Sequence, residues 1–263
     1  MKYLAIGPGA MGYFIYLGAL SKLHIAGKLQ DLEEMSGSSA GSMVSFMYLI
    51  SGRDIQKVLE YSLQAPIKEV MKPNIKTLLK DYGLVPIRKM RRLAEDVCLN
   101  FTNKKDISFS ELYFNSKIKL HVSSFCVDLM RTEYFNVDRT PDMSVLDALC
   151  MSICVPLLFS AVKHNGWHYV DGGSAEAIPC APFIQYPPNE ILALKLAWSK
   201  VNSIKDLKSY GLSVMYSILS MRATYSVPIL DINTDDNDVF DFGAGDEGKL
   251  KMFLLGQSQK FLT

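Results

Sequence analysis

The apolar positions fall into short blocks separated by glycines, prolines and polar residues, and the blocks alternate in period. Residues 3–6 (Tyr-Leu-Ala-Ile) read as a buried strand, 7–12 (Gly-Pro-Gly-Ala-Met-Gly) as a tight loop and 13–22 as an apolar helix. A short strand at 33–36, the turn Gly-Ser-Ser-Ala-Gly and an apolar helix from 40 to about 50 repeat the pattern, and a helix over 54–63 follows Gly52. This alternation predicts an α/β fold, with helices packed on the faces of a mostly parallel sheet.

From 65 to 105 the pattern changes: prolines at 66, 73 and 86 punctuate short polar helices, which predicts an inserted cap. Strands resume at 118–127 and 133–137, the second a hairpin partner of the first. Ser144 is an N-cap for a helix running through Cys154 and ending before Pro156. Residues 168–170 form a short strand leading into Asp171-Gly172-Gly173, 191–196 a further apolar strand, and 204–223 and 246–262 two helices. With no repeat or linker, residues 1–263 are expected to form one domain carrying the cap.

Composition narrows the function classes. A formal net charge of +1, with no basic stripe interleaved with aromatics, disfavours nucleic acid as a partner. The start of the chain lacks the pattern of a secretory leader, and no apolar stretch reaches spanning length, so a cytoplasmic protein is expected. Cysteines at 98, 126, 150, 154 and 180 are odd in number and form no CxxC pair; buried thiols and no metal are expected.

Two glycine motifs carry candidate chemistry. The loop Gly7 to Gly12 fits G-x-G-x-x-G between a strand and a helix, the context of a dinucleotide fingerprint. The acid that should end the next strand is missing, however, since Glu33 and Glu34 precede the strand-like residues. An NAD(P)-binding oxidoreductase is therefore the weaker reading, and no cofactor is expected. Gly37-Ser38-Ser39-Ala40-Gly41 fits G-x-S-x-G, a nucleophile elbow in which flanking glycines let strand and helix crowd together while Ser39 is turned outward. The same letters also suit an ordinary small-residue loop.

The serine needs a base. A Ser-Asp-His order would require His168 with Asp128 or Asp138 upstream, and no histidine follows position 168. Asp171, at the end of a strand and before two glycines, is the other candidate, although Asp-Gly is also a common turn pair.

These residues resemble the patatin-like phospholipases, lipid acyl hydrolases with a Ser-Asp dyad. The loop Gly7 to Gly12, the Ser39 elbow, the helix at 148–156 and Tyr169-Val170-Asp171-Gly172-Gly173 occur in the family's order, and 240–262 looks like its C-terminal end. The resemblance implies a three-layer α/β/α sandwich, Ser39 as nucleophile and Asp171 as base. It also implies an oxyanion hole from the glycine loop (Gly7, Gly9, Ala10, Gly12) with Ala40, and a phospholipid or related lipid ester as substrate, met at a membrane surface. Two positions depart from the family's usual Gly-Gly-Gly-x-Arg/Lys-Gly: Pro8, which has no amide hydrogen to donate, and Met11, which removes a charge. Both keep a non-catalytic lipid- or partner-binding relative as the alternative.

Three further features have plainer readings. Arg88, Lys89, Arg91 and Arg92 read as a solvated helix face, with docking to anionic headgroups the other use. The acidic run from Asp231 to Asp241 fails the calcium-loop pattern and reads as a solvated turn. The apolar spacing of 207–221 reads as core.

Overall fold

The computed structural model describes residues 1–197, 226–234 and 237–260. β1 (Tyr3–Ile6) lies inside a mixed sheet, paired in parallel with β2 (Glu34–Ser38) on one side and β9 (Ile191–Ala197) on the other. β10 (Ile229–Asn233) extends the β9 side in parallel, and β4 (Lys119–Cys126) extends the β2 side. Three antiparallel strands finish the sheet: β5 (Arg131–Phe135) on β4, β8 (Trp167–Asp171) also on β4, and β7 (Val162–His164) on β8. The main path is therefore β10-β9-β1-β2-β4-β8-β7, a mostly parallel sheet with flanking helices.

Alternation along β1 divides the core. Leu4 and Ile6 face the large helical cluster, which includes residues of α1 (Tyr13–Ile25), α2 (Ala40–Ile50), α6 (Arg88–Thr102), α7 (Phe109–Ser116) and α8 (Val145–Ser152). Tyr3 and Ala5 face the other side, against Ile178, Cys180 and Phe183. Helix α1 is apolar almost all round because α9 (Asp246–Ser258) covers its outer side. Glycines set that approach: a Cβ on Gly18 would lie 1.9 Å from the Phe253 carbonyl oxygen, and one on Gly256 2.0 Å from that of Ile15.

The segment 65–105, expected as a cap, holds α4 (Ile67–Val70) and α5 (Ile75–Asp81), then α6, after α3 (Ile55–Gln64). It is not purely helical: β3 (Gly83–Val85) pairs in parallel with β6 (Leu157–Phe159), a segment beyond Pro156 that the sequence pattern left unread. Three other expectations are corrected. β2 begins one residue later than expected and runs on into the elbow, because β1 and β4 pair with it along its length. Asp231 belongs to β10 rather than to a turn. Within the basic cluster, Arg91 is pinned by Glu95, Asp106 and Asp147, and Lys89 donates to the Val70 and Lys72 carbonyls, leaving Arg88 and Arg92 exposed. The helix expected at 204–223 lies outside the described residues.

Candidate active site

Ser39 stands between the end of β2 and the start of α2, in a conformation (φ 53°, ψ −122°) that non-glycine residues seldom adopt. The flanking glycines permit it. A Cβ on Gly37 would lie 2.4 Å from Ser42 Cα, and one on Gly41 2.1 Å from the Ile6 carbonyl oxygen. Ser39 N donates to Ser152 Oγ at 2.9 Å, and Ser42 Oγ donates to the Ser39 carbonyl at 2.6 Å. These bonds hold the turn from both sides. The strain is localised at the residue whose side chain faces the cleft, the arrangement of a nucleophile elbow.

Strand register brings Asp171 beside the end of β2. β2 runs parallel to β4 and ends with Ser38 opposite Ser123; β8 runs antiparallel and ends with Asp171 opposite Ser124. Since β5 covers the other edge of β4 over Val122–Cys126, β2 and β8 share one edge and meet end to end. Small residues make the junction possible: a Cβ on Gly172 would fall 2.4 Å from the Ser123 carbonyl oxygen. Asp171 is buried, its N donates to the Cys154 carbonyl, and its Oδ1 accepts from Gly173 N at 2.8 Å. The nearby Cys154 thiol is pushed up to about 12, first by burial and then by the Asp171 carboxylate, so it stays protonated and is no rival nucleophile.

The glycine loop is the third part. Pro8 lacks an amide hydrogen, but its ring packs on the Asp171 turn: a Cβ on Gly173 would lie 2.7 Å from both Pro8 Cβ and Cγ. The Pro8 carbonyl accepts from Tyr16 OH at 3.1 Å. The amides of Gly7 and Gly12 are engaged elsewhere, donating to the Leu194 and Gly9 carbonyls, which corrects the expectation that either would face an oxyanion. Met11 N likewise donates to the Val239 carbonyl. Gly9 and Ala10 donate to no acceptor among the described residues, and Ala40 N opens α2. Ala10 itself has a positive φ of 47°.

Ser39, Ala10 and Ala40 open onto a cavity of about 140 Å³. Its walls are almost wholly apolar, with Met43 and Met47 of α2 facing Met71, Met90 and Leu93 of the cap, and Phe159 and Phe242 at the side. Met11 lines the same space, which accounts for an apolar side chain at that position. The cavity's one other serine, Ser62, is hydrogen-bonded to Tyr13 OH at 2.9 Å.

The rival assignments do not assemble here. His168 Nδ1 does meet Asp128, at 3.1 Å, but three residues down β8 from Asp171, roughly 10 Å along the strand. Asp138 instead pairs with Lys119. Glu34 opens β2 rather than ending it, and its carboxylate is held by His121 at 2.7 Å, so it is not placed to grip a ribose. Sequence reasoning missed Ser152 and Tyr16, although Ser152 lies inside the 148–156 stretch singled out above and Tyr16 one turn after the glycine loop.

Comparison with known proteins gives the family and the fold. The sequence model of the patatin-like phospholipase family matches residues 4–184, and the chain belongs to that family. It is 26% identical over 190 residues to "Probable lipid hydrolase 463L" of Invertebrate iridescent virus 6, covering 70% of this chain and 64% of that protein. A protein of Acanthamoeba polyphaga mimivirus is 26% identical over 189 residues, covering 70% of this chain and 61% of its own length. The matched stretch thus spans less than two thirds of either relative. Among solved structures, VipD from Legionella pneumophila superposes with a TM-score of 0.57 at 16% identity, covering 98% of this chain and 67% of its own. The type III effector ExoU of Pseudomonas aeruginosa gives 0.54 at 15%, covering 97% and 51%. Both share the fold.

Proposed function

We propose that this chain is a lipid acyl hydrolase in which Ser39 and Asp171 form a catalytic dyad. The observation that carries the reading is the elbow: a strained, buried serine at a helix N-terminus, facing an apolar cleft, with Asp171 delivered to the adjoining sheet position by β8. Ser39 Oγ attacks the ester carbonyl carbon as Asp171 accepts its proton, and the carbonyl oxygen becomes an oxyanion. Amides of Gly9, Ala10 and Ala40, with the α2 dipole behind the last, stabilise that charge; Gly7 and Gly12 shape the loop. Collapse breaks the bond to the leaving alkoxide, which takes the proton from Asp171 and departs as the alcohol. Water then attacks the acyl-serine, Asp171 again accepting a proton and returning it to Ser39, and the fatty acid leaves. The apolar cleft suits the acyl chain and excludes bulk water.

A fluorophosphonate probe should label the wild type and leave Ser39→Ala unlabelled. Asp171→Asn should lower kcat by on the order of 10²–10⁴-fold with the fold intact by circular dichroism. Labelling that persists in Ser39→Ala, or full turnover in Asp171→Asn, would defeat the dyad. An unlabelled wild type would favour a lipid-binding relative without catalysis.

A further inference from the structure

The cap carries an apolar face that the acyl cleft does not use. On α5 and its C-cap, Ile75 (71% exposed), Leu79 (80%) and Tyr82 (66%) recur at helical spacing and point to solvent. Gly83, the next residue, pairs with Leu157, which is itself 69% exposed. Four large apolar side chains therefore protrude from one small subregion, where a lone exposed side chain would be ordinary.

The same subregion holds the charge asymmetry of the molecule. Residues 68–92 contain eight Lys or Arg against two Asp or Glu, a net of +6 in a chain whose formal net is +1. Lys68, Lys72, Lys76, Lys80, Arg88 and Arg92 are exposed, three of them on or beside α5. The face also neighbours the cleft along the chain: Met71 and Phe159, which line the cleft, lie four residues before Ile75 and two after Leu157.

We propose that α5 and the adjoining strand edge form a docking face for an anionic lipid bilayer. The apolar side chains would enter the headgroup boundary while the lysines meet lipid phosphates and carboxylates, placing the mouth of the cleft against the surface. The link to the cleft rests on the acyl-hydrolase reading; the docking itself does not.

The test is co-sedimentation of the full chain with phosphatidylcholine vesicles, with and without roughly a third phosphatidylserine. The wild type partitions onto the anionic vesicles and much less onto the neutral ones, and salt weakens it. Lys72→Gln/Lys76→Gln/Lys80→Gln loses on the order of a hundredfold in partition, about fivefold per lysine. Ile75→Ser/Leu79→Ser/Tyr82→Ser loses about tenfold or more on the same vesicles. Both variants keep wild-type melting and wild-type turnover of a water-soluble short-chain ester, so failed docking is separable from failed chemistry. Equal partition onto neutral and anionic vesicles, wild-type binding by both variants, or no vesicle binding at all overturns the proposal; the last returns the face to an acidic protein partner.

Discussion

Ser152 is the residue whose role is most sharply posed by the geometry. Its hydroxyl accepts the Ser39 amide at 2.9 Å from a helix more than a hundred residues away, and it is fully buried. That bond holds the backbone of the strained serine, so under the proposed dyad Ser152 is a positioning residue rather than a catalytic one. Ser152→Ala leaves a buried amide without its acceptor, a cost of about 1–3 kcal/mol. The expected outcome is a kcat lowered about tenfold with KM nearly unchanged, since the apolar cleft is untouched. Ser152→Thr, which keeps the acceptor, should recover most of the rate, and a uniform loss in both variants would reduce Ser152 to packing. Pro8 illustrates the converse. The missing amide was visible in the sequence, whereas the seating of its ring against Gly173 required the fold.

At the scale of elements, α1 and α9 are held backbone to backbone. Gly18 and Gly256 face carbonyl oxygens that no added Cβ could clear, so the two helices cannot separate slightly without losing contact along both. Gly256→Ala is expected to destabilise by about 1–3 kcal/mol through overpacking, read as a lower urea midpoint. Leu254→Ala, on the half-exposed side of the same helix, should shift it by less than about 0.5 kcal/mol. Helix α2, expected from 40 to about 50, runs from Ala40 to Ile50, because its apolar run begins at the elbow and is stopped by Gly52. β2 was legible only in part. Its residues, Glu-Met-Ser-Gly-Ser, have little strand propensity, and pairing on both edges makes them a strand.

Over the whole molecule, the two ends of the sheet do different work. Opposite the candidate site, Asn136 Nδ2 donates to His121 Nδ1, leaving His121 Nε2–H to donate to the buried Glu34 carboxylate at 2.7 Å. Backbone amides of Asp138 and Arg139 donate to Asn136 Oδ1, which fixes the amide orientation. Glu34 and Ser39 are five positions apart on and after β2, roughly 16 Å. His121→Ala removes the closest partner of a buried carboxylate, leaving among the described residues the Tyr186 hydroxyl at 3.3 Å, and is expected to cost about 3–5 kcal/mol. Melting temperature should fall while turnover per folded molecule stays at the wild-type level; a large drop in kcat would show that the far end of the sheet reaches the site.

Local chemistry determined much of this protein before any fold was known. Glycines that can only be glycines mark the elbow and the Asp171 turn, the apolar period marks the first two strand–helix units, and the prolines at 66, 73 and 86 mark where that pattern changes. Those signals are short-range, because they reflect what a backbone can do next to its own side chains. What the tertiary structure decided are the long-range pairings: which edge of β4 receives β2 and β8, which amides of the glycine loop are already engaged, and which arginine of the basic cluster is paired with acids. Each depends on residues tens of positions apart meeting in space, and no periodicity in the chain encodes that. The glycine-flanked turn at Ser39 was readable from five letters; the meeting of the ends of β2 and β8 is a property of the sheet.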